Sequence, residues 1–321
     1  MRRFPHISVP ISARNIQQPK SSPGFLQRHP RHFPLLTTGV HLRTIKMSPH
    51  STRGTPGMGA AAKGEFPKPP SFKDPLDERQ YLRERLALAF RIFAKLGFDE
   101  GVAGHITVRD PIDTTTFWVN PFGVAWPLLK ASDLIRVDHD GQIVDGGPVR
   151  LLNVAAYMIH SAVHEARPDI NAVAHSHSIH GRAFSTLGRN LEITTQDACA
   201  FHNDIALYDS FGGIVLGPEE GHSIAEALGP KKAAILANHG LLTCGKTIES
   251  CVFWFMSLER CCQAQLLADA AAAGRGGATV KVADEEAAFT YKTVGAEVAG
   301  WFSAKPTFDI MEHEAGGAHK L

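Results

Sequence analysis

No stretch of this 321-residue chain approaches the about 18 to 20 consecutive apolar residues that a membrane-spanning helix needs, so a span is excluded. Nor is there an excess of one charge. Thirty-three Lys and Arg face 32 Asp and Glu, and no global field favours nucleic acid or an acidic membrane surface. Phosphate-loop and dinucleotide-binding glycine patterns are missing, and Gly212 with Gly213 reads as a turn. Cysteine is scarce. Five is an odd number, and Cys261 and Cys262 are neighbours within a helical pattern, which argues against a disulfide framework and for a reducing compartment.

Acidic residues are absent from the first 64 positions, where ten Lys and Arg accumulate among Ser, Pro and His without an apolar period. That composition reads as a disordered tail, or as a mitochondrial transit peptide, whose import route recognises Arg-rich, acid-free N-termini. The prolines weigh against the amphipathic helix of such a peptide, and Met47 offers an alternative start. The expected location is cytoplasmic, or mitochondrial if the basic segment is a transit peptide. Residues 1–70 are therefore set apart as a tail.

From Ser71 onward the periodicity becomes regular. Asp77 to Leu96 predicts a helix with Leu82, Leu86, Phe90 and Phe93 near one face and Gly97 as its stop. Strands are expected at His105–Arg109, Thr116–Asn120, Leu134–Asp138 and Gln142–Val144, the last two joined by an Asp140-Gly141 turn. Leu152–Ala166 predicts a helix, Ile170–His175 a buried strand, and Gly181–Leu187 another helix. The alternation continues with strands at Leu191–Thr194, Gly213–Leu216 and Ala233–Leu236 and helices at Glu219–Leu228, Thr247–Ala273 and Glu285–Phe302. Strands and helices alternate without an internal linker, which predicts one α/β domain over residues 71–302 and a flexible, Gly-rich end at 303–321.

Seventeen histidines make chance pairs common, so position decides. The Val-Ala-His-Ser-His run ending at His177 closes an apolar strand, and a period of two points His175 and His177 to the same face. His239 follows the apolar strand Ala233–Leu236 and precedes Gly240, where the backbone can approach closely. Three neutral imidazoles with a fourth position open describe a catalytic metal site rather than a closed structural one. His160 and His164, at i and i+4, could also chelate, but no carboxylate lies between them. His164 reads as a surface or capping residue, and His160 as either structural or a pocket residue.

These residues also resemble a known family. Arg167 to His177, Asn238 to Leu242 and Gly104 to Arg109 together resemble the class II aldolase/adducin family, in its order and spacing, over about residues 75 to 275. The resemblance implies a three-layer α/β/α fold with a largely antiparallel central sheet and a homotetramer with sites near subunit interfaces. It also implies a divalent metal, zinc first and Fe2+ or Mn2+ next, on His175, His177 and His239. In family members that cleave phosphorylated sugars, Pro-Ser-Ser-Glu stands before the Arg-Pro-Asp turn and supplies the proton-transfer Glu and phosphate-binding serines. Here the matching positions are Asn153, Val154, Ala155 and Ala156. In the Gly-Asn-x-Ser phosphate motif, His105 replaces the Asn and Thr107 the Ser.

Alanine cannot transfer a proton, and Val and Ala offer a phosphate no hydroxyl, so a non-phosphorylated substrate is expected. A bound metal still supplies Lewis acidity for retro-aldol cleavage or decarboxylation of a hydroxy- or keto-acid. Candidate acid/base replacements are His105, Tyr157, His160 and His202. Gln196 and Asp197 either orient a ligand or form a turn with Asp197 as a helix cap. Three functions stay open: a metal-dependent carbon–carbon lyase on a small molecule, an adducin-like scaffold without turnover, and an oxygenase or dehydratase on the same three-His site. Adducin heads resemble the segment from His160 to Asp169 and likewise lack the Glu.

Overall fold

Asp74 begins the folded part by accepting from the backbone N–H of Leu76 at 2.8 Å, with Pro75 in the first turn and Asp77 and Glu78 favourably placed against the helix dipole. The computed structural model describes residues 65–214 and 217–321; the tail and transit-peptide expectations for 1–64 lie outside the described residues. The helix so capped, α1 (Pro75–Lys95), ends before Gly97, which adopts φ +72°.

Strands β1 (His105–Arg109), β2 (Phe117–Val119), β3 (Ile135–Val137) and β4 (Ile143–Gly146) form an antiparallel meander. Then come α2 (Val154–Ala166), β5 (Ala172–Ser176), α3 (Ile179–Ser185), β6 (Ile205–Tyr208), α4 (Pro218–Leu228), β7 (Ala233–Leu236) and β8 (Gly240–Gly245). The chain closes with α5 (Ile248–Ala273), α6 (Asp284–Val294) and α7 (Glu297–Ala315). The eight strands make one sheet in the order β4-β3-β2-β1-β5-β8-β7-β6, antiparallel throughout except for the β6–β7 pair.

Alternation along the strands divides the core between the two faces of this sheet. Ile106, Val108, Ala172, Ala174 and Ile235 pack with α1, α5 and α7 on one side. Val173, Ala234, Leu236 and Leu242 pack with α2 and α4 on the other. The result is the expected three-layer α/β/α arrangement with a largely antiparallel sheet. Among the described residues no helix is long and apolar enough to cross a membrane.

Several local expectations are corrected. Residues 303–321 are not loose: α7 runs on through Pro306, burying Phe308 and Met311, and the His319 carbonyl accepts from the Ala131 N–H at 2.8 Å. The helix expected over Glu285–Phe302 is two helices broken at Gly295. Leu191–Thr194 has no strand ladder, and Gly213 and Ile214 form a bend, with 215 and 216 outside the described residues. The strand beside β7 is Ile205–Tyr208, and Gly240–Gly245 is a further strand that the metal motif had masked.

Candidate metal centre

β5 delivers His175 from its last full turn of the pleat, and His177 follows two residues later. β7 and β8 are joined by a three-residue turn in which Asn238 takes φ +56°, a conformation asparagine tolerates, and His239 closes the turn by donating its N–H to the Leu236 carbonyl at 3.0 Å. The β5–β8 register, His175 opposite Leu242, then brings the turn beside the end of β5. Gly240 is required there, since a Cβ would stand 2.7 Å from the Ser176 carbonyl oxygen and 3.5 Å from Cε1 of His175. Close approach at Gly240, expected from the sequence, is thus realised.

The three rings form a compact triangle. Their centroids lie 5.2 Å apart for His175–His177, 4.7 Å for His175–His239 and 5.0 Å for His177–His239. One ligand nitrogen from each falls within 4.8 Å of the others, and modest ring rotations would bring them to the about 3.3 Å that separates two nitrogens on a tetrahedral zinc.

The donor set fits a divalent ion. Nδ1 of His175 donates to the Leu241 carbonyl at 2.9 Å, which leaves Nε2 with its lone pair free. Burial, with His239 beside it, holds His175 well below the ordinary histidine value. Burial and then the Arg182 guanidinium lower His177, and burial and His177 push His239 down to about 4. All three rings are therefore neutral at physiological pH, the form that coordinates metal.

A pocket of about 300 Å³ opens over this cluster, lined by the three histidines together with His105, Asn153, Ala156 and Arg182. Ala156 faces it from α2, so the position of the missing carboxylate is in the pocket and carries no acid. Arg182, unremarked in the sequence, enters from α3 with its guanidinium 3.1 Å from exposed Glu100. A basic residue one turn into the helix after the His-x-His pair is the signal that points to it. Buried Glu259 fixes the start of that helix, accepting from the Ser178 hydroxyl at 2.5 Å and from the His180 and Gly181 N–H groups at 2.9 and 2.7 Å.

The four acid/base candidates separate. His105 lines the pocket, buried, and its ring packs against His160 at 5.7 Å. His160 lies behind it, fully buried and bonded to Thr107. Tyr157 is turned away: its hydroxyl donates to the His139 carbonyl at 2.5 Å and its ring stacks on Phe117. His202 precedes β6, whereas His239 follows β7, and the two strands run parallel, so these histidines stand at opposite ends of the sheet. His202 instead lies 3.6 Å from Asp284. Gln196 and Asp197 are exposed outside the pocket, and Asp197 caps nothing. His164, expected on the surface, is buried.

The sequence profile of the class II aldolase and adducin N-terminal domain matches residues 84–266, more than half of the chain. The chain belongs to the class II aldolase/adducin family. Within the family it is 44% identical over 243 residues to decarboxylase NovR of Streptomyces niveus, covering 75% of this chain and 87% of that protein. It is 45% identical over the same length to 4-hydroxy-3-prenylphenylpyruvate oxygenase/4-hydroxy-3-prenylbenzoate synthase of Streptomyces roseochromogenus subsp. oscitans, covering 75% and 85%. Among solved structures it is similar to L-fuculose 1-phosphate aldolase from Glaciozyma antarctica PI12, with 51% identity and a TM-score of 0.73 over 79% of this chain and 97% of that one.

Proposed function

We propose that this chain is a metal-dependent carbon–carbon lyase, of decarboxylase or aldolase type, acting on a non-phosphorylated hydroxy- or keto-acid. The observation that carries the reading is the placement of the three-His cluster and Arg182 on one pocket whose remaining wall is largely apolar, including Ile159, Phe211 and Ile214. An arginine fork holds a carboxylate in two parallel hydrogen bonds. The apolar wall accepts an alkyl or aromatic substituent.

When bound, the metal, with zinc first and Fe2+ or Mn2+ next, supplies Lewis acidity to a carbonyl or hydroxyl oxygen of the substrate. The remaining work falls to this chain's side chains. Arg182 orients the acid, displacing its contact with Glu100. His105 and His160 border the small cavity beside Ala156 and take over proton handling there. A phosphate would find neither the serines nor the Gly-Asn-x-Ser pattern, since Val154, Ala155, His105 and Thr107 occupy those positions. The name of one Streptomyces relative, a decarboxylase, supports the lyase chemistry, and that of the other, a prenylbenzoate synthase, supports an aromatic acid.

Ferrous iron on the same three neutral ligands is the second reading, favoured by the relative named as an oxygenase. A homotetramer belongs to the proposal as well: exposed Leu151, Val154 and Ile214 beside the pocket suit a subunit interface. The test is turnover of 4-hydroxy-3-prenylphenylpyruvate and L-fuculose 1-phosphate by zinc- and iron-loaded protein, with and without O2. Oxygen-independent release of CO2 or an aldehyde from the keto-acid supports the lyase, and strict O2 dependence supports the oxygenase. Turnover of the sugar phosphate instead would overturn the substrate class, and no turnover of any arm leaves the scaffold reading.

A further inference from the structure

Behind the metal pocket lies an unusual accumulation of buried polar atoms. Both ring nitrogens of His105, Nε2 of His160, Nδ1 of His164 and Oδ1 of Asn120 have no hydrogen-bond partner among the described residues. A buried polar atom left unpaired costs about 1–3 kcal/mol, so the four on His105, His160 and Asn120, gathered at one spot, call for a ligand. A second cavity, of about 10 Å³, lies among them, bordered by His105, Thr107, Asn120, Ala156, Tyr157 and His160. That is about the room one water needs, and the polar partners are in place.

Thr107 continues the line. Its hydroxyl lies 2.9 Å from Nδ1 of His160 and 2.8 Å from Nε2 of His164. A hydroxyl has one proton to give, so it donates to one ring and accepts an N–H from the other. His164 in turn borders a large groove on the far side of α2, together with Arg109, Tyr157 and Ser161. His105 borders the metal pocket at the opposite end.

We propose that one water held by His105, His160 and Asn120 completes a relay, His105–water–His160–Thr107–His164, that carries protons between the metal pocket and the groove beyond α2. A proton enters at Nδ1 of His164. Nε2–H of His164 passes to the Thr107 oxygen, whose own proton passes to Nδ1 of His160. Nε2–H of His160 passes to the water, which gives a proton to His105 and so to the pocket. One proton is moved in all. Each ring accepts at one nitrogen while donating from the other, so His160 and His164 end as the opposite neutral tautomers.

Two residues that depart from the phosphate-binding pattern, His105 and Thr107, are members of this path, and Ala156, at the position of the missing Glu, borders its cavity. A carboxylate at position 156 would project toward the small cavity that Ala156 borders. The relay deepens the lyase reading and rests on it for its use, but its geometry is testable alone.

A crystal structure of the metal-loaded protein at about 1.5 Å should show one water within hydrogen-bond reach of His105, His160 and Asn120. Nitrogen-15 NMR of labelled histidine should show His160 and His164 coupled through Thr107 as neutral rings. No water density at that position would overturn the relay, whatever the turnover. With 4-hydroxy-3-prenylphenylpyruvate as the probe, Thr107→Val should lower kcat by about 10²-fold. KM and metal content stay unchanged, the solvent isotope effect changes, and Thr107→Ser restores the rate. His164→Asn, which cuts the outer end, should give the same loss and stands in if Thr107→Val does not fold. Wild-type kcat in either variant would overturn the relay. An absence of turnover in the wild-type protein would defeat the lyase reading and leave the water and the NMR to decide the relay.

Discussion

His105 and His175 stand directly opposite each other in the β1–β5 ladder, so both imidazoles project from the same face of the sheet, toward α2. That single pairing puts a member of the three-His cluster and a histidine outside it side by side. It joins the metal pocket to the buried polar path behind it. Of the residues between them in sequence, Thr107, Asn120, His160 and His164 supply the polar atoms of that path.

Close backbone approach at Gly240 gives the first prediction. Gly240→Ala forces a methyl group against the Ser176 carbonyl and toward the His175 ring. Overpacking of this kind costs about 1–3 kcal/mol. Thermal unfolding should show a lower Tm, and metal content should fall with it, because the strain moves His175 and His239 apart. An unchanged Tm with full metal content would show that the β5–β8 approach is looser than described.

In the proposed function, Arg182 binds the substrate and not the metal. Arg182→Leu should raise KM for a keto-acid by about 10- to 100-fold, the loss of one charge-assisted pair. Metal content should stay level, because the guanidinium is not a ligand. Lysine at this position restores charge without the planar fork and should recover only part of the affinity. Equal KM values for all three proteins would remove the carboxylate from Arg182.

Acid should destabilise the metal-free fold through His160 and His164. Burial, helped by the neighbouring His164 for one ring and by Arg109 for the other, pushes both down to about 3. In the unfolded chain the same rings take a proton below about pH 6.5. Between about pH 6.5 and 3 the unfolded state therefore binds more protons, and stability falls as pH falls across that window. Above it both states are neutral and these groups add no pH dependence. The slope is up to about 1.4 kcal/mol per pH unit for each histidine. Urea unfolding at pH 7.5, 6 and 5 measures it, and His164→Asn should make the slope shallower. A flat dependence from pH 6.5 to 5 would mean that the rings are not held neutral.

Much of this arrangement was legible in the residues, because alternation in an apolar strand and a glycine after a histidine are local signals. Val173 to His177 announced a ligand pair at a strand end, and Ala233–Leu236 a second strand feeding His239. The path behind the pocket was not legible. His164 looked like a surface residue from helical spacing, yet α2 packs on the face of β1 that carries Thr107, and the hydroxyl draws His164 inward. Tyr157 is one residue from Ala156, about 100° around the helix, and that rotation turns it out of the pocket toward the groove. His202 was misplaced because the strand between it and β7 is the short, half-buried Ile205–Tyr208, whose four residues show no alternation.

Elemental analysis of the purified protein beside a His175→Ala/His239→Ala variant tests the three-His centre most directly. About one zinc or iron per chain in the wild type, absent from the variant while its circular dichroism is preserved, is the predicted result, since removing two of three ligands abolishes a site of this kind. No metal in either protein after reconstitution, or equal metal in both, would contradict it.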